Sequence, residues 1–427
     1  MDKKIKNAPL ATLLEKLVKQ SFHLYFTAFG GSTTYQPFQI GILMSQMDDN
    51  VKAIPEFPQA VQLMEKDSVI SKLLGNLVGT VTNASSVESA ETCILKFLNQ
   101  LYLKNPVFIQ TIFNEQYEAF EELFYSDNLR FVDTVRLYNF EASSEKIVLN
   151  NGLSIKRFPV VVDEQTKIQQ IQFKPYIQFS KSDYIIEKFY TRTKRVGNAK
   201  TPFDVDLVSK EANESGDLFD QIIKALRIMK NSAVYRDHVI STEMLTFTPY
   251  AGIISRFPFL ENTVIGNKLV ISKDEDKELI SIFENISKNE NKSFQIASNR
   301  LGFGLERRFD EDRLIDYMIG LESIYLPDGQ DELTFRLSLR IAFLMGKDVA
   351  ERKDIFRFIK KMYHLRSKLV HGKKYDLTKD DVARIEEILR RSLKMFLSDP
   401  IQFSLDQFDK NGKLTKNGVL DNIFFNS

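Results

Sequence analysis

From Lys273 to about Leu397 the chain repeats a helical period through DEDKELISIFENI, DRLIDYMIGLESIYL, DELTFRLSLRIAFLMG, ERKDIFRFIKKMYHLRSKLV and TKDDVARIEEILRRSLKMFL. Turns at Asp328 and Gly329, at Gly346 and at Gly372 separate the last four segments. Connections that short make successive helices antiparallel neighbours, so the spacing predicts an up-and-down helical bundle over 273–397. Upstream, Leu10 to about Tyr125 carries helical stripes such as Leu13 and Leu17, or Ile94, Leu98 and Leu101. Between Asn128 and Ser272 the texture changes to short β-branched and aromatic runs. There EKIVLNNGLSIKRF sets Asn151-Gly152 between two alternating stretches, a strong hairpin signal. KIQQIQFKPYIQF, EMLTFTPYAGII and NKLVIS read as further strands, with a helix over LFDQIIKALRIMK. A chain of 427 residues exceeds what one core supports. The expectation is a multidomain α+β protein: a helical N-terminal region (1–127), a mixed α/β middle domain (128–272), the bundle (273–397) and a C-terminal tail (398–427).

Hydrophobic residues at 43% and charged residues at 27% give the balance of a globular chain, with no run of about eighteen apolar residues to span a bilayer. No membrane association is expected. A lone Cys93 offers neither a disulfide nor a thiolate cluster, which points to a cytoplasmic setting and no cofactor or metal. The formal net charge of +1 provides no global field for a polyanion, so any nucleic-acid contact has to come from a local patch.

Such a patch exists. Between Glu351 and Lys374 nine basic residues face two acidic ones, and Lys361, Lys368, Lys373 and Lys374 are candidate RNA contacts around KKMYHLRSKLVHG. Within that segment Arg366 and His371 are separated by four residues, just before a helix-ending Gly372. Metal-free RNA cleavage needs a group that titrates near neutrality and a fixed cation for a crowded phosphate, and these two residues supply one each. Ile355, Ile359, Met362, Arg366 and Leu369 share a face, which puts Arg366 on the apolar stripe. Ile315, Met318, Glu322 and Tyr325 share another, which puts a carboxylate among apolar neighbours. A desolvated charge is costly unless paired, so Glu322 is a candidate to orient Arg366, with Arg340 either a second partner or a phosphate ligand.

Five helical residues place His371 about 140° from Arg366. Either the helix ends near Val370 and brings His371 back, or two subunits bracket the phosphate. A histidine in a last helical turn also serves simply as a cap beside the negative dipole end. His364, two turns earlier, is either another titrating group or, with aromatic sequence beside it, a structural histidine, and the second reading is favoured. KFYTRTKRVGNAK is either a solvated loop or a clamp for single-stranded RNA. Gly302 and Gly304 lack the strand and lysine of a nucleotide loop. His23 and His238 read as core, surface or turn residues.

The order and spacing of Asn299-Arg300, DRLIDYMIGLESIY, RLSLRIAFLMG and YHLRSKLVHG resemble the HEPN superfamily, and within it the Apea-like HEPN domains of bacterial anti-phage defence. The resemblance covers about Ser293 to Leu397. It implies a HEPN-type bundle that forms a homodimer, with a composite, metal-independent endoribonuclease site in which Arg366 and His371 match the motif arginine and histidine. It implies an abortive-infection effector acting on RNA, with a phage-derived trigger as a partner and residues before about Glu290 in a sensing or gating role. Ser367 departs from the Asn, Asp or His that often follows the arginine, though it keeps a hydrogen-bonding hydroxyl. Some members of the family only bind nucleotides, RNA or partners, which leaves a noncatalytic module as the alternative.

Overall fold

The computed structural model describes residues 5–28, 45–79, 84–150, 152–157, 160–162, 169–171, 184–197, 205–237, 240–247, 267–327, 332–408 and 414–422. Helices α1 (Ala8–Ala28), α2 (Asp48–Lys52), α3 (Glu56–Lys66), α4 (Ala90–Lys104) and α5 (Gln110–Tyr125) make the N-terminal region largely helical. It also contains a hairpin that the helical reading does not anticipate, β1 (Asn76–Gly79) with β2 (Ala84–Val87).

The long strand β3 (Asn128–Tyr138) opens the middle region, followed by β4 (Phe140–Ala142), β5 (Lys146–Asn150), β6 (Leu153–Arg157) and the small hairpin β7 (Val160–Val162) with β8 (Gln169–Ile171). Next come β9 (Tyr184–Thr193), β10 (Arg195–Gly197), helix α6 (Val205–Met229), β11 (Tyr235–Arg236), β12 (Ser241–Met244) and β13 (Leu269–Ile271). The main sheet runs β11-β3-β9-β6-β5, with β12 also on β3, and every pairing in it is antiparallel. The hairpin at Gly152 is present: β5 and β6 pair antiparallel with Asn150 opposite Leu153, and Gly152 adopts φ +90°. A Cβ there would lie 2.5 Å from the Phe189 carbonyl oxygen of the neighbouring strand, so both the backbone angle and the close approach call for glycine. Most of KIQQIQFKPYIQF and the second half of EMLTFTPYAGII lie outside the described residues.

Helices α7 (Asp276–Ser287), α8 (Lys292–Glu306), α9 (Asp310–Tyr325), α10 (Leu333–Met345), α11 (Val349–Val370) and α12 (Lys379–Ser398) form the bundle, and β14 (Gln407–Phe408) pairs with β15 (Leu414–Lys416) in the tail. α8 is an addition to the five segments expected, because its Gly302 and Gly304 disguise a helix. Gly304 is required by packing: a Cβ would sit 2.1 Å from the Tyr317 ring of α9. Local caps fix where the last two helices begin. Asp348 caps α11 by accepting from the Glu351 amide at 2.8 Å, and Thr378 with Asp381 closes a capping box at the start of α12.

The apolar side chains form two cores. One joins α1–α5 to Leu129, Phe131 and Phe247. The other runs without a break from Val135, Leu137, Ile155 and Ile186 of the sheet, through α6, into all six bundle helices. The compositional boundary at 272/273 is therefore crossed by a continuous core. Arg227 of α6 bonds Glu306 of α8 at 2.7 Å, and Arg390 of α12 donates to the Arg227 carbonyl at 3.0 Å. None of the helices among the described residues is long and apolar enough to cross a membrane.

Gly304→Ala is expected to lower the unfolding free energy by about 1–3 kcal/mol, the usual cost of overpacking. Equilibrium urea denaturation measures it, and an unchanged midpoint would refute the close α8–α9 contact.

Candidate functional site

Helix α9 presents Glu311, Ile315, Met318 and Glu322 at spacings of four, three and four, so they line one face. Helix α11 packs along it, and its stripe of Ile355, Ile359 and Met362 is fully buried. Arg366 continues that stripe and donates from Nη1 to Oε1 of Glu322, each side chain about one quarter exposed (25% and 23%). The anticipated pair is thus formed. Burial lifts the Glu322 carboxyl above the usual glutamate range, and the positive charge of Arg366 offsets only part of that rise.

Val370 is the last residue of α11, and His371 is its C-cap with φ −93° and ψ 9°. Gly372 follows in the left-handed region at φ +62°. Its amide donates to the Leu369 carbonyl at 3.1 Å, and the Lys373 amide donates to the Lys368 carbonyl at 2.8 Å. These two bonds are the paired closures of a Schellman motif, and only glycine takes that backbone angle cheaply. The His371 side chain is exposed and hydrogen-bonds no described residue. The helix does end at Val370, but the turn does not bring the imidazole into hydrogen-bond contact with Arg366. Within one protomer no hydrogen bond joins the two groups.

Ser367, Lys368, Lys373 and Lys374 are exposed around this turn. Lys361 is exposed too, yet its ammonium grips both oxygens of Asp381 at 2.8 Å, which spends its charge on the α11–α12 contact. Arg340 requires a correction. It is 3% exposed, and its guanidinium donates to the carbonyls of Leu420 (3.2 Å) and Tyr325 (2.6 Å) and to Asp421 (2.6 Å). It anchors the C-terminal tail and is neither a partner of Glu322 nor accessible to a phosphate. The sequence signal misleads because a stripe position shows that a charge is buried without showing what it meets.

KFYTRTKRVGNAK also needs correcting, since it is no loop: residues up to Gly197 form β9 and β10. Lys194 donates to the Leu123 and Phe124 carbonyls at the end of α5, and Arg192 stacks on Tyr190 with 4.8 Å to the ring centroid. His23 and His364 are exposed, and His238 lies outside the described residues. Among the described residues there is no group of three or more His, Cys, Asp or Glu placed to hold a metal ion. Sequence reading missed two arrangements near the site. Asp316, 2% exposed, accepts from Arg300 at 2.7 Å and from Arg307 at 3.0 Å. Tyr375 donates to Glu311 at 2.8 Å.

Comparison of the chain with protein-family models, with curated proteins and with solved structures finds no match.

Because the Glu322 carboxyl titrates higher in the folded chain than in the unfolded one, the native state holds a proton across that window that the unfolded state has lost. Its contribution to stability is therefore present at acid pH and fades as pH rises through the raised value. Glu322→Gln should remove this step and flatten the stability curve just above the ordinary carboxylate range. Urea titrations at a series of pH values test this, and superimposable slopes for the two proteins would overturn it.

Proposed function

We propose that this chain is a metal-independent RNA endonuclease effector, working in anti-phage abortive infection through a composite site of two HEPN-type bundles. One observation carries the reading. An arginine seated on a half-buried carboxylate precedes an exposed histidine by little more than a helical turn, with Lys368, Lys373 and Lys374 exposed around them.

In the proposed reaction the neutral His371 imidazole takes the proton of a ribose 2′-hydroxyl while that oxygen attacks the adjacent phosphorus. The phosphorus–5′-oxygen bond breaks, the departing 5′-oxygen takes a proton from an imidazolium, and a 2′,3′-cyclic phosphate remains. Two protonation roles suit a pair of His371 side chains, one from each protomer of a homodimer. Arg366, oriented by Glu322, stabilises the additional negative charge of the phosphorane. The exposed lysines hold the backbone. The sensing or gating role of the upstream regions, and a phage-derived trigger, follow from the family resemblance and belong to the same proposal.

A second reading has its own support. Arg366 is already paired with Glu322 and makes no hydrogen bond to His371 in one protomer, as expected of a noncatalytic module that holds RNA, a nucleotide or a partner.

Cleavage of total RNA in EDTA, with end mapping, separates the readings. Wild-type protein should generate 2′,3′-cyclic phosphate ends, and His371→Ala should reduce them by at least about a hundredfold, the scale of a lost general acid–base group. If infected-cell extract is present and both proteins remain silent, the noncatalytic reading stands. Charge reversal of Lys373 and Lys374 should weaken RNA binding and reduce the slope of log affinity against log salt by up to about 1.4. An unchanged slope would remove these lysines from the interface.

A further inference from the structure

We propose that Glu311 and Tyr375 form a clamp that positions the His371 turn against the same face of α9 that seats Arg366 on Glu322. The functional consequence rests on the reading of His371 as the proton-transfer group. Glu311 and Glu322 stand eleven residues apart on one stripe, roughly 16 Å along the axis. The segment that follows Arg366 runs beside this stripe, because its later end is also attached to it: the Tyr375 hydroxyl donates to Glu311 Oε1 at 2.8 Å across 64 residues of sequence. His371 falls between the two attachments, five residues after one and four before the other.

Between Leu369 and Leu377, both packed on the core, every side chain from Val370 to Asp376 is exposed. No burial holds that stretch. The Schellman bonds fix where the helix stops, but they act through residues 368–373 and leave the direction of the following chain open. The Tyr375–Glu311 bond is the side-chain contact that sets that direction among the described residues. Its chemistry suits the task, since the Glu311 carboxyl is held below the usual glutamate range, chiefly by its own backbone amide and then by the tyrosine hydroxyl. It stays ionised as an acceptor. The tyrosine proton is held in turn, and its loss is pushed above the usual phenol range. Glu311 and Tyr375 are positioning residues, since neither is placed to touch the reacting atoms.

The test uses the full chain with Tyr375→Phe, Glu311→Ala and Glu311→Gln, reading amide hydrogen exchange over residues 371–378 alongside RNA cleavage. Tyr375→Phe and Glu311→Ala should each speed exchange in this stretch roughly three- to tenfold, the population ratio that one hydrogen bond sustains. Each should lower kcat by a similar factor while KM stays within about twofold, as for an interaction that orders a catalytic group. The double variant should be no worse than either single one, and Glu311→Gln should restore most of both readouts because its amide oxygen accepts the same bond. Unchanged exchange in Tyr375→Phe, additive losses, or a loss confined to KM would overturn the clamp. Should the wild-type protein leave all RNA intact, the ribonuclease reading falls while the exchange comparison still decides whether the clamp exists.

Discussion

A charge taken out of water has to meet a partner, and along α9 this requirement reaches every other helix from α8 to α12. Asp316 holds Arg300 of α8 and Arg307 just beyond its end. Tyr317 and Arg313 both donate to Glu386 of α12 at 3.1 Å, and Arg390 completes that 1%-exposed carboxylate at 2.6 Å. The Tyr325 carbonyl accepts from Arg340 of α10, and Glu322 receives Arg366 of α11. Apolar packing alone tolerates a range of helix registers, but sliding any of these helices by one residue would strand a buried charge. The same requirement that sets the bundle's register therefore also sets the arginine of the candidate site.

Strand β3 does for the two cores what α9 does for the bundle. Its period-two alternation places Leu129, Phe131, Asp133, Val135 and Leu137 on one face. The first two belong to the N-terminal core and the last two to the core shared with the bundle. Asp133 falls at the junction, 4% exposed, and accepts from Tyr190, Thr242 and Ser215 at 3.1, 2.7 and 2.5 Å. These three donors come from β9, β12 and α6. A carboxylate satisfied from three elements makes the junction specific in a way that another apolar residue would not. The sheet, α6 and the bundle are consequently one packed body, although their compositions differ enough to read as separate domains.

What was legible in the sequence follows from how local each signal is. The Asn-Gly hairpin and the helix stop at Gly372 depend on a few neighbouring residues, and they appear where the sequence places them. The Glu322–Arg366 pair was legible because two charges on apolar stripes have few ways to be satisfied. Arg340 obeys the same logic but meets the tail, 80 residues away, which periodicity does not encode. α8 was hidden for a related reason: Gly304 lowers helix propensity, yet it is there to admit the Tyr317 ring from another helix. The strands β9 and β10 read as a basic loop because their lysines and arginines are used across the sheet and at the end of α5.

On the proposed reading, seating Arg366 on Glu322 has two opposite effects. The pair is nearly neutral at a distance, so it adds little to the attraction of an incoming polyanion. At contact the guanidinium still has donors to spare, since one carboxylate does not use all five N–H groups. It is also already immobilised, so no reorganisation is needed when negative charge builds on a phosphorane. Affinity then has to come from elsewhere, and Lys368, Lys373 and Lys374 lie on the surface where an unpaired charge costs nothing to keep. Recruitment and chemistry are thereby assigned to different cations, the mobile and exposed ones for the first, the paired and oriented one for the second. A chain with a net charge of only +1 has little alternative if it is to hold RNA at one place and ignore it elsewhere.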